Sequence, residues 1–265
     1  MNLKLPVMRS LSLMLVLLTC TMVIAQQEAQ IAFSEGVKQL QSENYKQAEE
    51  LFSTAIREGK TKNGLKMSYI YKAFSLNGQG KYNEAIACFD NAIQIDSLDP
   101  SSYIDRALTY SYKKDYPKAA EDLHHVLLLD SLGEKAEAAY YHLGKISMLM
   151  FDNESAVANF DKLLMLAPDD AEAFFLRGTA KSNLMDSDGA IADLDKAIEL
   201  RPDYMEAYAN RGVQKINKLP VAERTGKRID CLEDPCADLL QAKEFGDTSI
   251  DDMIFLYCSG CKGRN

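Results

Sequence analysis

The stretch Ala171–Asp203, AEAFFLRGTAKSNLMDSDGAIADLDKAIELRPD, decides the fold. It reads as two helices joined by a tight turn at Asp186-Ser187-Asp188-Gly189. Phe174, Arg177 and Gly178 share one face of the first helix, and Ala190, Leu194 and Ala197 recur at helical spacing on the second, with Pro202 ending the unit. Neither helix is apolar enough to persist alone, so further copies must stack on it and hide the shared face.

Those copies are present. One at about 28–60 carries Gly36, Tyr45, Ala48, Phe52 and Ala55, and one at about 66–99 carries Tyr69, Ala73, Leu76, Tyr82, Ala85, Phe89 and Ala92. A third at about 100–133 carries Tyr103, Ala107, Tyr110, Tyr116, Ala119, Leu123 and Val126. A fourth at about 134–169 carries Tyr140, Leu143, Gly144, Ala156, Phe160, Leu163 and Pro168, and the first helix of a sixth, 204–217, carries Tyr208, Arg211 and Gly212. The residues that close the second helices, Ala55, Ala92, Val126, Leu163 and Ala197, lie 37, 34, 37 and 34 positions apart. A period of 34 with occasional short loop extensions, an aromatic early in the first helix, and Ala-x3-Phe-x2-Ala in the second resemble the tetratricopeptide repeat family, in its exported bacterial type. Tyr or Phe stands where the family usually has Trp.

That resemblance implies an all-α right-handed superhelical solenoid of helix-turn-helix repeats spanning 26–217, with a concave inner face. Small residues in the first helices (Gly36, Ala73, Ala107, Gly144, Gly178, Gly212) are expected to let the second helices approach closely. After an insertion at 218–234, a last repeat helix and a cysteine-containing C-terminal cap occupy 235–265. In the cap, a helix over Ile250–Tyr257 is expected to turn Ile250, Met253, Ile254 and Tyr257 inward.

Residues 1–25 stand apart from the repeats. Lys4 and Arg9 precede the apolar run Leu11–Ile24, and Val23-Ile24-Ala25 offers a cleavage point before Gln26, the layout of a secretory signal peptide. Retention as an anchor and lipidation at Cys20, after Leu17-Leu18-Thr19, are the alternatives. The expected location is therefore exported, periplasmic or secreted. The chain carries 30 Lys and Arg against 39 Asp and Glu, a net charge of −9, and loses two more basic residues with the leader. So acidic a balance argues against nucleic acid as a partner.

The C-terminal cysteines form two pairs, Cys231-x4-Cys236 and Cys258-x2-Cys261. In an exported chain disulfides are the default, Cys236 with Cys258 and Cys231 with Cys261. A four-thiolate zinc site also fits the spacing, and a redox-active Cys258–Cys261 pair is a third possibility. His124, His125 and His142 lie singly or on diverging faces of helices, no phosphate loop or nucleophile elbow occurs, and Asp186-x-Asp188-Gly189 lacks the ligand series of a calcium loop. No catalytic residue, metal or cofactor is expected.

In this family the first helices line a groove that holds a peptide or partner protein. Carried over, the lining is Phe33, Ile70, Tyr71, Phe74, Ile104, Asp105, Leu108, Tyr141, His142, Lys145, Phe175, Thr179 and Asn210. These are mostly apolar, with Lys145 and Asn210 isolated, unlike the Lys, Arg and Asn clamp that chaperone-tail-binding members use for a terminal carboxylate. The resemblance implies a non-catalytic interaction scaffold in the cell envelope, or an envelope-anchored assembly subunit.

Overall fold

A computed structural model describes the backbone at residues 5–220, 229–230 and 234–259, and side chains at 19, 21–220, 229 and 234–258. The chain divides into two compact units, Met1–Leu129 and Asp130–Asn265.

The first unit holds three helix pairs: α1 (Leu5–Gln41) with α2 (Tyr45–Glu58), α3 (Lys62–Gly78) with α4 (Tyr82–Ile95), and α5 (Pro100–Tyr112) with α6 (Tyr116–Leu129). Phe52, Phe89 and Leu123 sit fully buried on the second helices, each set among alanines of its own helix. Gly36 shows why the facing position must be small: a Cβ there would stand 2.7 Å from the Phe52 ring. Helix α1 runs from Leu5 into the first repeat, whose first buried residue among those described is Ala29, because nothing between Pro6 and Gly36 breaks a helix. Among the described residues no helix is long and apolar enough to cross a membrane.

The second unit repeats the design with α7 (Glu134–Leu149) and α8 (Asn153–Leu166), then α9 (Ala171–Asn183) and α10 (Ser187–Leu200). Helix α11 (Met205–Lys218) finds its partner only after the insertion, in α12 (Cys236–Glu244). Helix α13 (Asp251–Tyr257) closes the end, burying Ile250 and Ile254 against Ala209, Ile216, Leu239 and Ala242 while Met253 and Tyr257 pack at the edge, the face the periodicity predicts. A two-residue parallel bridge, β1 (Ile229–Asp230) with β2 (Cys258–Ser259), ties the insertion to the tail. Cys236 and Cys258 come within disulfide reach, Cα atoms 5.8 Å apart. Cys231 and Cys261 lie outside the described residues.

Every first helix that meets its partner through a short turn ends alike. A residue with left-handed backbone follows the helix, at Glu43, Gly80, Lys114, Phe151 and Met185. The next residue's N–H reaches back to a carbonyl in the last turn, as from Asn44 to Gln39 at 2.9 Å and from Asp186 to Lys181 at 3.0 Å. Aspartates cap helices of both kinds: Asp99 and Asp170 before the first helices α5 and α9, and Asp152 and Asp186 before the second helices α8 and α10, each accept a backbone N–H with the side chain.

A polar bracket absent from the sequence expectation joins successive repeats. Arg106 binds Asp122 of its own repeat through two hydrogen bonds, at 2.9 and 2.6 Å, and Asp90 of the preceding repeat at 2.5 Å. Arg177 does the same with Asp193 and Asp161, and Arg211 with Asp238 and Asp195. Each guanidinium also lies over the aromatic ring three residues before it, Tyr103, Phe174 or Tyr208, at 5.3 to 5.6 Å. Hydrogen bonding to Asp122 holds Arg106 above the ordinary guanidinium range, and Asp193 does so for Arg177.

The brackets are not equally exposed to loss. Asp122 is buried with Arg106 as its ion-pair partner among the described residues, whereas Asp193 also binds Lys181 at 2.8 Å. Arg106→Met should therefore cost about 3 kcal/mol by stranding a buried carboxylate, and Arg177→Met only about 1–2 kcal/mol. Urea unfolding of the two variants checks the order, and equal losses would refute it. Gly144→Val should cost roughly 2 kcal/mol despite the poor helix propensity of glycine, since a Cβ there falls 2.6 Å from the buried Phe160 ring. A melting temperature at or above that of the parent would contradict this account of the close approach.

Candidate functional site

The face carrying the predicted groove residues is made by first helices, and each unit presents its own portion. In the first unit α1, α3 and α5 supply it. Phe33 stands edge-on to Tyr71 with ring centres 5.2 Å apart, and Tyr71 is followed by Phe74 at 5.7 Å, all three half-buried. Beneath them Phe33 meets the buried Phe52 at 5.6 Å and Phe74 meets Phe89 at 5.8 Å, so the rings are held from below by the repeat cores. Asp105 and Leu108 on α5 are also half-buried. Ile70 and Ile104, at the same repeat position as Phe33, are buried where Phe33 is half-buried. A cavity of about 310 Å³ opens beside this face, lined by Gln26, Ala29, Phe33, Ala55, Met67 and Ser68 among others.

The portion on the second unit is more polar and already engaged with itself. The Tyr141 hydroxyl donates to Glu172 at 2.6 Å and accepts from the Lys145 ammonium at 3.0 Å. Burial, with the Glu172 carboxylate second, pushes the Tyr141 phenol well above its usual range. His142 lies 5.2 Å from the Tyr141 ring, and burial, aided by Lys145, holds its imidazole below the ordinary value. Tyr141 thus acts as a neutral hydroxyl, and the surroundings of His142 favour its uncharged form. Phe175 contacts Tyr204 at 4.9 Å, and the Asn210 amide donates to the Thr179 hydroxyl at 3.4 Å. The two predicted polar handles, Lys145 and Asn210, therefore each serve a neighbouring side chain in this structure. They do not converge as a clamp would.

The titratable residues weighed for chemistry stay apart. His124 is exposed, whereas His125 packs on Tyr103 with ring centres 4.4 Å apart. Burial raises the Cys88 thiol, and no group of three or more His, Cys, Asp or Glu that could hold a metal occurs among the described residues. Sequence inspection missed the arginine brackets, although the aromatic-x2-Arg pattern with Asp 16 positions on recurs at Arg106 and Arg177. It also passed over the apolar turn residues of the second unit, which no helical periodicity marks.

A family model described as tetratricopeptide repeat matches residues 68–97, 137–170 and 171–204. Among curated proteins the chain is similar to BBSome complex member BBS4 of Mus musculus, 28% identical over 130 residues, 49% of this chain and 24% of that protein. It is similar also to anaphase-promoting complex subunit 3 of Schizosaccharomyces pombe, 26% identical over 148 residues, 54% of this chain and 21% of that protein. The chain thus spans about a quarter or less of the length of these relatives. Among solved structures it resembles YrrB, described as a TPR protein with an unusual peptide-binding site, with a TM-score of 0.56 and 22% identity over 77% of this chain and 97% of that one. A tetratricopeptide repeat protein from Parabacteroides merdae aligns with a TM-score of 0.62 and 16% identity over 87% of this chain and 99% of that one. At such identities the structural likeness speaks for the fold. Residues 68–97 and 137–204 thus carry tetratricopeptide repeats, set among helix pairs of the same build.

Proposed function

We propose that this protein is a non-catalytic scaffold of the cell envelope that binds an extended or helical segment of a partner protein along its first-helix face. The observation that carries the proposal is the run of half-buried rings Phe33, Tyr71 and Phe74, supported from below and open above. Aromatic rings anchored in this way bind apolar side chains with little loss of their own freedom, because the fold already orders them. The relatives support the scaffold role: BBS4 is named as a complex member and the anaphase-promoting protein as a complex subunit. YrrB, described as having a peptide-binding site, supports the peptide as the occupant. The leader at 1–25 supports export, and the nearness of Cys236 and Cys258 suits an oxidising compartment.

Affinity capture with residues 26–265 tests the face. Tyr71→Asp and Phe175→Asp, one in each unit, should lower partner recovery about tenfold while helical circular dichroism stays unchanged. If the same proteins come down in the same amounts with both variants, the first-helix face is not the binding site. Mass spectrometry of the exported protein tests the compartment. The expected form starts at Gln26 and is lighter than the reduced chain by two hydrogens for each bridge formed. An acyl group on Cys20, or bound zinc, would overturn the soluble, disulfide-bonded form.

A further inference from the structure

Two adjacent turns of the second unit hold large apolar side chains out into solvent. Leu149 ends α7 and Met150 and Phe151 follow it, 56, 50 and 88% exposed, and Leu184 and Met185 follow α9 at 37 and 90%. The Asn183 amide donates to Asn153 at 3.0 Å and ties the turns side by side. Phe151 and Met185 occupy the left-handed turn position, with φ of 60° and 62°. The same position holds Glu43, Gly80 and Lys114 in the first unit. A bulky side chain there costs roughly 1–2 kcal/mol that glycine avoids, and asparagine reduces. Packing does not offset that cost, since the two side chains are almost wholly exposed. These residues therefore oppose stability twice, through the backbone and through the apolar surface they show to water.

The charge around the tips narrows the occupant. Asp152, Glu154 and Asp186 flank them and make no ion pair among the described residues, while Asp188 binds Lys218. The nearby cations are committed: Lys181 to Asp193, and Lys145 to the Tyr141 hydroxyl. We propose that the tips Leu149–Phe151 and Leu184–Met185 form a second docking surface, for a protein segment whose apolar side chains are flanked by lysine or arginine. The flanking carboxylates would repel an anionic bilayer, and they would oppose each other across a contact between two copies of this face.

The full chain is titrated with a fluorescent amphipathic peptide of leucine and lysine, with its leucine and glutamate counterpart, and with phosphatidylglycerol vesicles. The lysine peptide should bind, and the glutamate peptide at least tenfold more weakly. The double variant Phe151→Asn, Met185→Asn should lose at least tenfold in affinity for the lysine peptide and melt at the same or a higher temperature. Tyr71→Asp should leave that affinity unchanged, which separates this surface from the first-helix face. Unchanged binding by the double variant overturns the proposal, as do equal binding of the two peptides, preference for vesicles, and dimers that the double variant abolishes. A lower melting temperature of the double variant would overturn it as well, by showing that the tips serve the fold.

Discussion

A helix pair of this chain has more apolar surface than it can hide within itself. Within a unit a first helix turns one side to its own second helix and, where a repeat precedes it there, another to the second helix of that repeat, so stability is a property of neighbours. Close approach is the condition that makes this work. Phe52 and Phe160 fill the contact completely, over Gly36 and Gly144, which offer no side chain in return. Where the first helix carries alanine, as at Ala73, the opposing Phe89 still buries fully.

The arginine brackets sit on that same seam and add direction to it. Burial by itself tolerates sliding between helices, whereas a guanidinium that must meet one carboxylate in each of two repeats does not. Arg106, Arg177 and Arg211 each stand one residue before the small position, so the polar contact and the close approach are set by one turn of helix. At the aligned sites in other repeats stand Lys72 with Cys88 and Leu143 with Asn159, and these repeats rest on apolar contact to a greater degree. Such unevenness is ordinary in repeat arrays, where each interface contributes its own increment.

Much of this was legible from residues alone. The spacing of Ala55, Ala92, Val126, Leu163 and Ala197 marks the repeats because a helix pair needs a fixed number of residues to return to its starting face. The cap helix was legible for a related reason: Ile250 and Ile254 recur at helical spacing. The groove was only partly so. Ile70 and Ile104 share a column with Phe33, Tyr141 and Phe175, but a branched aliphatic side chain fits under the adjoining helix where a ring protrudes, and sequence does not say which will happen. The brackets escaped because their residues lie on different helices, and a charged residue on a helix usually faces water. Helix α1 extends upstream of the first repeat because periodicity marks packing, whereas a helix continues wherever nothing breaks it.

The last bracket spans more chain than the others. Arg211 meets Asp238 across 27 positions, where Arg106 and Arg177 meet their aspartates across 16. Eleven further residues are thus accommodated without moving either end of the contact. Closing the longer loop adds only about 0.5 kcal/mol of chain entropy. New sequence can accumulate between these two helices at almost no thermodynamic burden, which makes this junction the natural place for the protein to acquire, lose or exchange a segment while its architecture stays the same.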